Sequence, residues 1–198
     1  MSRIAFVLGV VLLGCLTTVV RPAFADNGTV RGVAWGASAE QIKAAEKSTF
    51  KHDATSGAVQ YLVYSDTFAG ESVSVVYRLI QNRLFELIYN FETKGRKCAD
   101  MAKKYSEVTQ ILTKDYGEGQ VKSSADPCNA TLGWEKGPTS ASAVLSTDSG
   151  RTDLSVHFVS TELAKIAQQV TTVTTTTSEL GSTQPLPDGR SSSEKRVE

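Results

Sequence analysis

The stretch Val73-Ser74-Val75-Val76-Tyr77-Arg78-Leu79-Ile80-Gln81-Asn82-Arg83-Leu84-Phe85-Glu86-Leu87-Ile88-Tyr89-Asn90-Phe91 decides the fold. Val73, Val75, Tyr77 and Leu79 alternate with Ser74, Val76 and Arg78. After a turn at Gln81-Asn82-Arg83, Phe85, Leu87, Tyr89 and Phe91 alternate with Glu86, Ile88 and Asn90. Side chains of a strand point to opposite sides in turn, so a period of two over this length predicts antiparallel strands with one buried face. Upstream, the β-branched and aromatic run Val59 to Tyr64 predicts a third strand. Before it, Ser38 with Gln41 three residues later forms a capping-box pattern, so a short helix should run from Ala39 to Lys47. His52 to Gly57 reads as a loop.

Downstream the order repeats. Met101, Tyr105, Val108 and Leu112 recur at helical spacing, and Tyr116-Gly117 closes that helix. Glu118 to Ala130 reads as a loop. Strands follow around Trp134 (Thr131 to Glu135), over Ala141 to Thr147, and through Leu154, Val156 and Phe158 after a turn at Asp148-Ser149-Gly150. A brief helical piece spans Leu163 to Val170. The expected fold class is α+β: an antiparallel sheet with two helices packed on one face, in tandem α-β-β-β order.

Both ends of the chain differ from this core. Residues 1–25 read as a signal peptide: Arg3, an apolar run from Ile4 to Leu16, and Ala23-Phe24-Ala25 before Asp26. Gly9, Gly14, Thr17, Thr18 and Arg21-Pro22 break the run short of the roughly 20 apolar residues of a membrane span. No transmembrane span is expected after cleavage, and the protein should be periplasmic or secreted. Leu12-Leu13-Gly14-Cys15 also resembles a bacterial lipobox; processing there would leave a lipid anchor on Cys15. Residues 171–198 combine a threonine run, Pro185, Pro187 and Ser191 to Ser193 with no aromatic residue, the composition of a disordered tail. Residues 26–170 remain as a single α+β domain.

Loss of the signal removes Arg3 and Arg21, leaving 19 basic residues against 21 acidic ones. That balance gives no electrostatic reason to bind nucleic acid. It also leaves Cys98 and Cys128 as a pair, and an oxidising compartment favours a disulfide between them.

At Trp35-Gly36-Ala37-Ser38 and Gln41-Ile42 the chain resembles bacterial envelope proteins in which a short glycine-bearing stretch opens a helix and a hairpin follows. Outer-membrane assembly lipoproteins of the SmpA/OmlA type share a similar helix start. The tandem helix-plus-sheet order resembles that of β-lactamase-inhibitor protein. Tyr116-Gly117 and Trp134 extend the likeness to periplasmic proteins with a Trp-Gly-x-Ser opening. The resemblance implies the fold and carries no functional residue.

Chemistry is sparse in the sequence. No Gly-x-Ser-x-Gly elbow frames a serine, and no calcium ladder, Cys-x-x-Cys or phosphate-binding glycine loop appears. No catalytic residue, cofactor or metal is therefore expected. His157 alternates with Val156 and Phe158 on a strand, and His52-Asp53 lies in the expected loop. An enzyme would need two or more polar groups converging on one of these histidines. The leading expectation is a non-enzymatic binding or envelope-assembly accessory protein whose partner is another envelope protein. The candidate recognition surface is Trp35, Trp134, Tyr61, Tyr64 and Tyr77 if a tryptophan is exposed beside the tyrosines; the alternative is that the tryptophans belong to the core. A domain binding a small molecule or cell-wall fragment, or a hydrolase of unrecognised type, are the alternatives.

Overall fold

The computed structural model describes residues 28–170. The expected signal peptide with Cys15, and the expected tail, lie outside the described residues. Strands β1 (Thr29–Val30) and β2 (Val33–Ala34) form a small hairpin, and helix α1 (Ala39–Ala45) follows. Ser38 caps α1 with both capping-box hydrogen bonds. Strands β3 (Thr49–Ser56), β4 (Val59–Phe68), β5 (Glu71–Ile80) and β6 (Arg83–Phe91) complete the first half. Helix α2 (Cys98–Tyr116) opens the second half, followed by β7 (Gln120–Asp126), β8 (Asn129–Lys136), β9 (Thr139–Asp148) and β10 (Arg151–Ser160). A third helix, α3, spans 163–170.

The structure is thus mixed α and β, with antiparallel pairing throughout. Each half contributes four strands to the main sheet where the sequence pattern suggested three. The additional strands are β3, in place of the expected loop at His52 to Gly57, and β7, within the expected loop at Glu118 to Ala130. Both are edge strands of one eight-stranded sheet ordered β3-β4-β5-β6-β10-β9-β8-β7. Every residue of β3 is exposed, so it carries no hydrophobic alternation to read.

Two four-stranded meanders therefore meet at β6 and β10, where Val156 lies opposite Tyr89 and Phe158 opposite Leu87. The meanders turn through two-residue hairpins. Gln81-Asn82 (φ 50° and 57°) and Ser149-Gly150 (φ 49° and 79°) have both central residues left-handed, the geometry that matches strand twist.

Alternation gives the sheet two faces. On the inner face Leu62, Val75, Tyr77, Leu87, Val156 and Ala143 are fully buried. Ile42 of α1 and Met101, Val108 and Leu112 of α2 join the same core. Rings of Phe68, Tyr89, Phe158 and Tyr116 form a chain of contacts across the seam, with centroids 4.8–6.0 Å apart. A disulfide joins Cys98, at the start of α2, to Cys128 in the β7–β8 turn, with Cα atoms 5.7 Å apart. It ties the β7 edge to the second helix.

At the other edge, an ionic cluster does the anchoring. Arg31 binds Glu46 (2.7 Å), Asp66 and Ser48, and its Nη1 donates to the Tyr89 hydroxyl at 3.2 Å. The Tyr77 hydroxyl also donates to Glu46. Burial alone would raise the Glu46 carboxyl. The hydrogen bonds from Arg31, Tyr77 and the Ser48 amide outweigh it and hold the group at about 2, against an ordinary 4.5. A carboxyl depressed in the folded state stabilises the protein fully above its unfolded value. That contribution is lost as pH falls from about 5 towards 2.

Two outcomes follow for stability. Replacing both Cys98 and Cys128 with serine should lower unfolding free energy by about 3–4 kcal/mol, measured by urea titration. Glu46→Gln should flatten the loss of stability between pH 5 and pH 2; an unchanged slope would place the acid sensitivity elsewhere.

Candidate functional site

The outer face of the sheet differs from the inner one in composition and exposure. One row across it, read from strand pairing, runs His52, Val63, Val76, Ile88, His157, Ser142 and Gly133. A second contains Ser65, Ser74, Asn90, Ser155, Val144 and Thr131. Most of these side chains are half-buried or exposed. Small polar residues and β-branched ones dominate, as suits a sheet surface in contact with water.

A connected polar chain crosses the middle of this face. Arg78 of β5 pairs with Glu86 of β6. The other Glu86 oxygen, Oε1, lies 2.9 Å from His157 Nδ1 on β10. His157 Nε2 lies 3.0 Å from Ser155 Oγ, two residues along the same strand and therefore on the same side. A carboxylate only accepts hydrogen bonds, so Nδ1 carries the proton that reaches Glu86. In the neutral ring Nε2 then accepts from the Ser155 hydroxyl, and the tautomer follows from the contacts.

Strand pairing produces this chain. Arg78 lies directly opposite Glu86. Glu86 lies opposite Val159 and His157 opposite Ile88, which makes Glu86 and His157 diagonal neighbours across the seam. A register irregularity between Arg78 and Leu79 sits beside the ion pair. The Phe85 ring lies 5.2 Å from the Arg78 guanidinium and the Tyr61 ring 5.7 Å from it, so the cation packs between two aromatic groups. Arg78 Nε is buried without a hydrogen-bond partner. The Glu86 side chain is only 10% exposed, whereas the imidazole of His157 retains 29%. The chain thus rises from a buried carboxylate to an accessible histidine and serine.

The structure brings several polar groups together at His157 and not at His52. His52 lies in the same row but four strands away, about 19 Å at ordinary strand spacing. The signal missed in the sequence is the serine–x–histidine pair on one face of β10. Glu86, 71 positions away, becomes its partner only once the two halves join.

Four of the five aromatic residues of the candidate recognition surface lie elsewhere. Trp35 and Trp134 are buried, 6% and 2% exposed, and Tyr64 and Tyr77 belong to the inner core. The Trp35 indole donates to Thr139 Oγ1 at 2.8 Å. Trp134 lies so close under Gly119 that a Cβ there would sit 2.7 Å from its indole nitrogen. Tyr61 alone of the five reaches the outer face, half-buried beside Arg78. Large rings went to the inner face because it offers the most apolar area to remove from water. Four further aromatic rings, Phe68, Tyr89, Tyr116 and Phe158, line a cavity of about 140 Å³. That is below the few hundred Å³ of ordinary ligand pockets.

Glu86→Ala should cost about 2 kcal/mol, because it leaves Arg78 without its counter-charge and His157 without an acceptor. An Arg78→Met, Glu86→Leu double variant should lose less than Glu86→Ala alone. Urea unfolding of the three proteins distinguishes a coupled pair from two independent side chains.

Comparison of the chain with protein-family models, with curated proteins and with solved structures finds no match in any of the three.

Proposed function

We propose that this protein is an exported binding or envelope-assembly accessory protein that engages another protein of the bacterial envelope through the outer face of its sheet. In this reading the halves are tandem helix-plus-meander units, and α1 and α2 pack on one face. The opposite face is left for recognition.

One observation carries the proposal: a broad sheet face built of half-exposed serine, threonine and valine side chains around a fixed polar centre. Eight strands at about 4.8 Å spacing span about 34 Å. That width can accommodate the roughly 800 Å² per partner of a standard protein interface. Val63, Val76 and Ile88 form an apolar row beside the charged centre, the mixture typical of such interfaces. Preordered side chains also lose little conformational freedom on binding. An expected export signal, together with the disulfide that an oxidising compartment favours, supports a partner in the envelope.

Position-dependent crosslinking tests this reading. A photoreactive residue at Val76 or Ser142 should give one discrete adduct in intact envelopes. The same residue at Ile111, exposed on α2, should give none. Equal adducts from all three positions, or none from the sheet positions, would refute the assignment of this face.

A further inference from the structure

We propose that Ser155 is an activated nucleophile, with His157 as its base, Glu86 as the group that orients the base, and Asn90 as the donor to the developing oxyanion. The polar chain then supports acyl transfer from an activated ester. The inference uses the same face as the binding proposal but requires no partner, so the two can fail separately.

The geometry supplies each role in turn. Ser155 Oγ is 3.0 Å from His157 Nε2, within reach for proton transfer. His157 Nδ1 is 2.9 Å from Glu86 Oε1, which fixes the ring and the tautomer whose Nε2 can accept a proton. The buried carboxylate stabilises the imidazolium that forms, and its pairing with Arg78 holds it in place. Three groups with the roles of a nucleophile, a base and an orienting acid are thus linked in sequence.

The oxyanion also needs a donor. Ladder pairing with β6 on one side and β9 on the other engages the strand backbone around Ser155. The donor must therefore be a side chain. Asn90 lies directly opposite Ser155 across the β6–β10 pair, on the same face, and is exposed. Directly opposed residues have Cβ atoms about 4.5–5.5 Å apart. The Asn90 carboxamide can therefore reach a carbonyl oxygen whose carbon is at Ser155 Oγ. A side-chain amide is an established kind of oxyanion donor. Ser74 and Val144 flank the pair in the same row and leave the approach low.

The chemical step balances without any further reagent than an ester and water. The Ser155 Oγ lone pair attacks the carbonyl carbon, and the Oγ proton moves to His157 Nε2. The carbonyl π pair moves onto oxygen, beside Asn90. Collapse of the tetrahedral species breaks the bond to the leaving oxygen, which takes the proton from Nε2. Water then attacks the acyl-serine with His157 again accepting the proton, releasing the acid and restoring Ser155.

The test uses purified protein with two probes, a fluorophosphonate and p-nitrophenyl acetate. Adducts are located by peptide mass spectrometry, and folding of each variant is checked by urea titration. Wild type should carry the adduct on Ser155 in preference to every other serine, and the preference should vanish in urea-unfolded protein. Ser155→Ala should lose that adduct, and His157→Gln should slow it about 100-fold. Asn90 is exposed, so Asn90→Ala should keep native stability while slowing p-nitrophenol release about 100-fold. The proposal is overturned if wild type gives no Ser155 adduct. It is equally overturned if other serines react as fast, or if folded His157→Gln or Asn90→Ala reacts at the wild-type rate.

Discussion

The pairing of β6 with β10 is the constraint on which the rest of this structure depends. Each half is a four-stranded meander with one apolar face, and each would end in an unpaired strand at the centre of the molecule. Joining them makes those two strands interior and extends the inner core across the seam. Tyr89 and Phe158 contact one another there, with centroids 6.0 Å apart. Phe68 stacks on Tyr89, and Tyr116 of α2 reaches Phe158. The halves are therefore bound by aromatic burial on one face and by the Glu86–His157 contact on the other. Register follows from the same requirement, because a one-residue slip would turn Leu154, Val156 and Phe158 of β10 to the outer face.

The pairing also explains where polar chemistry accumulates. A sheet centre is stiff, and side chains projecting from it are held by neighbours on both sides. Arg78 has Tyr61 and Phe85 beside its guanidinium, and Glu86 has Arg78 and His157. The outer edge strand β3, by contrast, is exposed along its whole length.

The elements readable from sequence are those whose burial is periodic. Val73 to Leu79 and Leu87 to Phe91 bury alternate residues, and α2 buries Met101, Val108 and Leu112 at helical spacing, so these elements show their form in the chain. The Ser38–Gln41 capping box was legible because both partners are local. β3 and β7 were not, since edge strands need no buried face and turn-rich, polar composition resembles a loop. The site was legible only in part. Ser155 and His157 stand two apart on a recognisable strand, but nothing local connects them to Glu86 or Asn90. Tryptophan and tyrosine suit either a core or a recognition surface; packing area decides their place, and four of the five lie in the core.

The two edges of the sheet are secured by different chemistry. The β7 edge is held covalently, through Cys128 to Cys98 at the start of α2. The β3 edge is held by charge: Lys43 pairs with Asp53 at 3.1 Å, and Ser48, just before β3, donates to Asp66 at 2.8 Å inside the Arg31 cluster. Reducing agents act on the first fastening and acid on the second. One protein thus has two separately addressable points of fraying, and a change of redox state or of acidity would loosen opposite ends of the same sheet.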